Sequence, residues 1–192
     1  MPLKSGLDLL LALLYAPGRD GRPAEEIRGI TRLEKLVFLA LEEAGFGSPA
    51  TEFRYQAYDF GPYSREVVDY VAALEGLGLV TTREEKFESF KEVVDRVMAT
   101  GEIPPEERAG TVGIYELTEK GRQVGRLAFE RLTPDEQTRI EDLKNRYNSM
   151  DLSSLLTHVY RKYPAMTKKS KILDEILGLG ARKGLKVPPG ED

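Results

Sequence analysis

Cysteine and tryptophan are absent from this chain of 192 residues, and histidine occurs once, at position 158. Without cysteine there can be no disulfide, no thiolate zinc site and no thiol nucleophile, a usage that suits a reducing compartment and leads to the expectation of a cytoplasmic protein. One histidine is too few for a transition-metal site of the usual kind, so no metal is expected. Also missing is any apolar run of the roughly 20 residues needed to cross a bilayer, and no membrane partner is expected. The apolar run over residues 7–15 contains Asp8 and leads into Pro17-Gly18-Arg19-Asp20 where a signal peptide would have small residues, so it reads as a buried helix.

Catalytic and cofactor signatures are equally scarce. Gly178, Gly180 and Gly184 follow a helical segment, and no Gly-Lys-Ser or Gly-Lys-Thr run occurs, so a phosphate loop is not formed. Carboxylate neighbours such as Glu42-Glu43 and Glu84-Glu85 are numerous, but adjacent helical residues point in different directions and do not share a cleft. His158 stands among Leu155, Leu156 and Val159 and reads as a packed or surface helix residue, and Ser64 reads as a helix N-cap. The expectation is a non-enzymatic protein without cofactors.

What the sequence does contain is helical patterning. At 41% apolar and 31% charged residues, with net charge −4, it has enough apolar material for one core and no global basic excess that would mark a nucleic-acid binder. Leu3, Leu7, Leu10, Leu11 and Leu14 share a helix face. Thr31 and Glu34 have the spacing of a capping box for a second helix that runs to about residue 44. Phe53, Tyr55, Tyr58 and Phe60 belong to an extended segment that Gly61-Pro62 breaks, and a third helix follows from Ser64, with Gly76 and Gly78 as stops. Strands are expected at residues 79–82 and 111–118, and the connection between them places Phe87, Phe90, Val93, Val94 and Val97 at helical spacing. Thr118 caps another helix, Thr133 and Glu136 form a second capping box, and helices are expected over residues 152–163 and 167–177.

The fold class read from this order is mainly α with a small two-stranded β-wing: a winged helix-turn-helix core over residues 1–132 with an inserted helix at about 84–101, a helical extension over 133–178, and a flexible tail over 179–192. The runs Gly29-Ile30-Thr31-Arg32-Leu33-Glu34-Lys35-Leu36, Tyr58-Asp59-Phe60-Gly61-Pro62-Tyr63-Ser64, Leu77-Gly78-Leu79-Val80 and Tyr115-Glu116-Leu117-Thr118-Glu119-Lys120-Gly121 resemble two groups of prokaryotic winged-helix proteins. One is an uncharacterised group with the Phe-Gly-Pro-Tyr-Ser signature; the other is the Panacea family of SocA-like antitoxins. The match is closer to the first, because Tyr58 and Tyr63 stand where the Panacea pattern has tryptophan and valine. Resemblance to the second implies a module that holds a toxin or delivers it to a protease.

Two sets of contact residues follow. A protein partner, or a second copy of the chain, is expected to meet Tyr55, Tyr58, Tyr63, Arg65, Phe87 and Phe90, with Phe53 and Phe60 packed beneath the third helix. The alternative is a DNA-binding regulator using Arg32, Lys35, Arg65, Lys168, Lys169 and Lys171. Over residues 161–186 eight basic side chains face two acidic ones, whereas helix three carries Arg65 against Glu66, Asp69 and Glu75, and an acidic recognition helix is repelled by a duplex.

Overall fold

The computed structural model describes residues 5–47, 52–86 and 111–177. Of these, 56% are helical, with small antiparallel sheets beside the helices. Helix α1 (Gly6–Tyr15) starts where the Ser5 hydroxyl accepts the Asp8 amide at 3.1 Å. Leu9, Leu10, Ala12 and Leu13 are fully buried, so this helix is apolar on every side beyond its first turn, where Asp8 pairs with Arg131, and it forms part of the core.

Helix α2 (Ile30–Glu42) packs beside it. It starts two residues earlier than the Thr31 cap predicts, after Gly29 at φ +91, and no side chain caps it. Glu34 leaves its own helix: its carboxylate accepts the Ser64 amide at 3.2 Å, and the predicted capping box does not form. Helix α3 (Arg65–Gly76) ends in a Schellman closure, with the Gly78 amide on the Glu75 carbonyl, the Leu79 amide on the Leu74 carbonyl, and Gly78 at φ +67.

Among the described residues five short strands are present where the sequence predicts two. A three-stranded sheet has the order β1 (Ile27–Arg28), β5 (Thr111–Leu117), β4 (Val80–Lys86), all antiparallel. Strand β4 runs on to Lys86, so Glu84 to Lys86 are strand and not the start of the expected inserted helix; Lys86 pairs with Thr111. The rest of that helix, Phe87 and Phe90 included, and the expected tail lie outside the described residues. Strands β2 (Gln56–Tyr58) and β3 (Gly61–Tyr63) form a separate hairpin.

Helix α4 (Glu119–Glu130) is capped by Thr118 and lies along α1. Helix α5 (Pro134–Asn148) has the predicted Thr133–Glu136 capping box, and helix α6 (Leu152–Lys162) follows an Asp151 cap. The predicted helix over 167–177 is replaced by a 3-10 turn (Pro164–Thr167) and a single helical turn, α7 (Leu173–Ile176). The cause is competition for backbone groups: the Lys171 amide and the Ser170 hydroxyl both donate to the Asp59 carbonyl, at 3.0 and 3.2 Å. One hydrophobic cluster joins residues from Leu9 to Ile176, so the extension shares the core of the preceding helices.

Two cations close the ends of helices to which they do not belong. Lys144 of α5, fully buried, donates to the carbonyls of Leu14 and Ala16 at 2.9 and 2.8 Å, where α1 ends. Arg32 of α2 donates to the carbonyls of Tyr147, Asn148 and Met150 at 3.1, 3.1 and 2.6 Å, where α5 ends. Burial lowers the Lys144 ammonium to about 7, against a smaller opposing pull from Glu25. Burial likewise lowers Lys35 to about 8, with Glu34 opposing.

Stability should therefore depend on pH on the alkaline side. Between these folded values and the ordinary 10.5, the unfolded chain binds protons that the folded chain does not, so stability rises with pH through that window. Tyrosines act in the opposite sense above pH 10, because burial raises Tyr55, Tyr147, Tyr160 and Tyr163 and the unfolded chain ionises first. Melting curves should show stability increasing by several degrees from about pH 7 to a maximum near pH 9 to 10, then falling. In Lys144→Met most of that rise should vanish. A flat wild-type profile would count against buried ionisable lysines.

Candidate partner-binding surface

The Phe-Gly-Pro-Tyr-Ser signature is the β2–β3 hairpin and the start of α3, held from three sides. Gly61 adopts φ +89, a left-handed conformation that favours glycine, and a β-carbon there would stand 2.9 Å from the Tyr160 ring. The Pro62 carbonyl accepts the buried Lys35 ammonium at 3.0 Å. The Ser64 amide reaches Glu34, and the Ser64 hydroxyl, fully buried, donates to Glu66 at 2.7 Å. On the far side, Asp59 forms an ion pair with Lys171 at 2.8 Å.

This framework sorts the predicted contact residues. Tyr55 is turned inward: its hydroxyl donates to the Glu34 carbonyl at 2.9 Å and its ring meets Phe38 edge-on at 5.1 Å. Phe53 is buried against Tyr70, and Phe60 is partly buried against the core. Tyr58 is 48% exposed and its ring lies 5.0 Å from that of half-buried Tyr63, tilted by 32°. These two rings form the accessible aromatic surface of the hairpin. Arg65 projects into solvent and pairs with Asp69 at 3.7 Å.

The cations proposed for DNA fall into two groups. Arg32 and Lys35 are committed to backbone carbonyls inside the molecule, so neither reaches a phosphate in this arrangement. Lys168 and Lys169 are exposed, immediately after the 3-10 turn that rests on β2 and β3. Residues far apart in sequence are thereby gathered at one rim: Tyr58, Tyr63, Lys168, Lys169 and Lys171.

A second polar concentration was not predicted. Glu43, just past the end of α2, accepts from Tyr147 at 2.7 Å, from His158 at 3.0 Å, from Tyr163 at 3.2 Å and from Lys162 at 3.0 Å. The burial that pushes the Glu43 carboxyl up is outweighed by the hydrogen bonds from His158, Tyr147 and Lys162, which hold it at about 2. A cleft of about 200 Å³ beside it is lined by Glu43, Arg139, Asp142, Arg146 and Tyr147. The signals lay in α5 and α6, where Tyr147, His158 and Lys162 stand within reach of one carboxylate, but the partner Glu43 is more than 100 residues away in sequence. Among the described residues no three His, Asp or Glu side chains gather into a metal-binding group. No family model, no curated protein and no solved structure matches this chain.

Proposed function

We propose that this chain is a winged helix-turn-helix protein that works by holding a protein partner against the Gly61-Pro62-Tyr63 rim, as its resemblance to SocA-like antitoxins implies. The strand order β1-β5-β4, with α2 and α3 preceding the β4–β5 hairpin, supports the winged-helix part of this reading. The observation that carries the partner reading is the outward face of α3. That face presents Arg65, Asp69, Ala72, Ala73, Glu75 and Gly76, and its one cation is engaged by Asp69. A groove-reading helix needs arginine, lysine, asparagine or glutamine there. The neighbouring cations on α2 point inward instead.

Titration against duplex DNA at about 0.15 M salt should give no binding tighter than micromolar. Co-expression with the product of the adjacent gene should give a complex that Tyr58→Ser weakens. Nanomolar affinity for one defined duplex would replace this reading with that of a transcriptional regulator.

A further inference from the structure

The rim combines two chemistries. Its aromatic part, Tyr58 and Tyr63, comes from the hairpin. Its basic part comes from the turn after α6, which Ser170 and Lys171 fasten to Asp59. That attachment fixes the intervening Lys168 and Lys169 beside the hairpin, both exposed. The charge of Lys171 is met by Asp59 and that of Lys162 by Glu43. Arg161, Lys168 and Lys169 have no ion pair among the described residues. In a chain of net charge −4, this rim is locally positive.

We infer that the rim captures a short acidic segment of the partner protein, its carboxylates on Lys168 and Lys169 and one aromatic side chain against the Tyr58–Tyr63 pair. This rests on the partner-binding reading above. Charge complementarity selects an acidic occupant, and three details select a peptide over a nucleic-acid strand. The cations form a short cluster and not a track that could follow a repeating phosphate backbone. The two rings lie against one another and do not stand apart as separate base-stacking platforms. The exposed face of α3, the helix that follows Tyr63, carries Asp69 and Glu75, which repel a polyanion long enough to extend over it. A peptide of limited length avoids that repulsion.

The chain has no tryptophan, so the emission of a single tryptophan in a probe reports binding without background. The probe is a short synthetic peptide of aspartate and glutamate with one central tryptophan, titrated with the full chain. Its affinity should drop at least about fivefold when salt is raised from about 0.15 to 0.5 M. The Lys168→Glu/Lys169→Glu variant and Tyr58→Ser should each weaken it by about fivefold or more, the first with unchanged melting temperature because both lysines are exposed, the second with a drop of a few degrees at most from loss of the Tyr63 ring contact. Absence of binding, binding indifferent to these substitutions, or tighter binding of an oligothymidylate strand would overturn the inference. The adjacent-gene product separates the two readings. If its complex is lost with Tyr58→Ser but survives Lys168→Glu/Lys169→Glu, the acidic-segment inference fails and the partner reading stands.

Discussion

Replacing Glu43 with alanine should lower the melting temperature by roughly 10 °C. The Glu43 side chain is 16% exposed and its two oxygens receive Tyr147, Tyr163, His158 and Lys162, so deletion leaves the Tyr163 hydroxyl without this acceptor and Tyr147 and His158, 3.0 Å apart, with only each other. Lys162, half exposed, contributes little. Loss of charge-assisted hydrogen bonds and of the Tyr163 acceptor together amount to about 3 kcal/mol, and each kcal/mol moves a chain of this length by about 2–4 °C. The same hub has an acid signature. A carboxyl held at about 2 in the folded chain and at 4.5 when unfolded contributes stability that is present above 4.5 and is lost as pH falls toward 2. Glu43→Gln should therefore show a shallower loss of stability with acid than the wild type. A melting temperature within about 1 °C of wild type for Glu43→Ala would mean that the hub is not a stabilising contact.

Gly121→Ala should be the other severe substitution. A β-carbon at Gly121 would stand 1.8 Å from the backbone oxygen of Leu79 and 2.8 Å from its carbonyl carbon. That oxygen also accepts the Thr118 amide at 3.0 Å, so it cannot withdraw without loosening the start of α4. Forcing backbone apart in this way costs about 3 kcal/mol or more, visible as a lower urea midpoint at unchanged slope. Gly76, where an added β-carbon would meet nothing within 4 Å, provides the control. There alanine should be neutral or stabilising by up to about 0.5 kcal/mol. Equal effects at the two glycines would contradict the close approach of α4 to β4.

The parts of this molecule legible in the sequence are those fixed by neighbours a few residues away. The Thr133–Glu136 box, the Thr118 cap and the glycine closure after α3 are local chemistry, and each forms as the spacing predicts. Strands β1, β2 and β3 have two or three residues each, too few to display an alternation, and exist only because β5 and the hairpin turn supply partners. Glu34 has ideal capping-box spacing, yet the α3 amide terminus competes successfully for its carboxylate. Arg32 and Lys35 illustrate the same limit for the candidate surface. Residue type suggests solvent and phosphate, whereas carbonyls contributed by Pro62 and by the end of α5 draw both cations inward. For Lys144 there was a readable hint: it lies four residues after buried Ile140 and three before buried Tyr147, on the inward face of α5.

The exchange of helix-end closures between α1, α2 and α5 bears on how the chain comes apart. The carbonyls that finish α1 find their donor in α5, and those that finish α5 find theirs in α2, so neither the preceding helices nor the extension has a complete set of partners alone. Detaching either segment would expose unmet carbonyls and a cation without its acceptors at the same moment. Unfolding thus becomes a joint event: calorimetric and van't Hoff enthalpies should agree, and amides of α1 and α5 should exchange with one shared opening free energy.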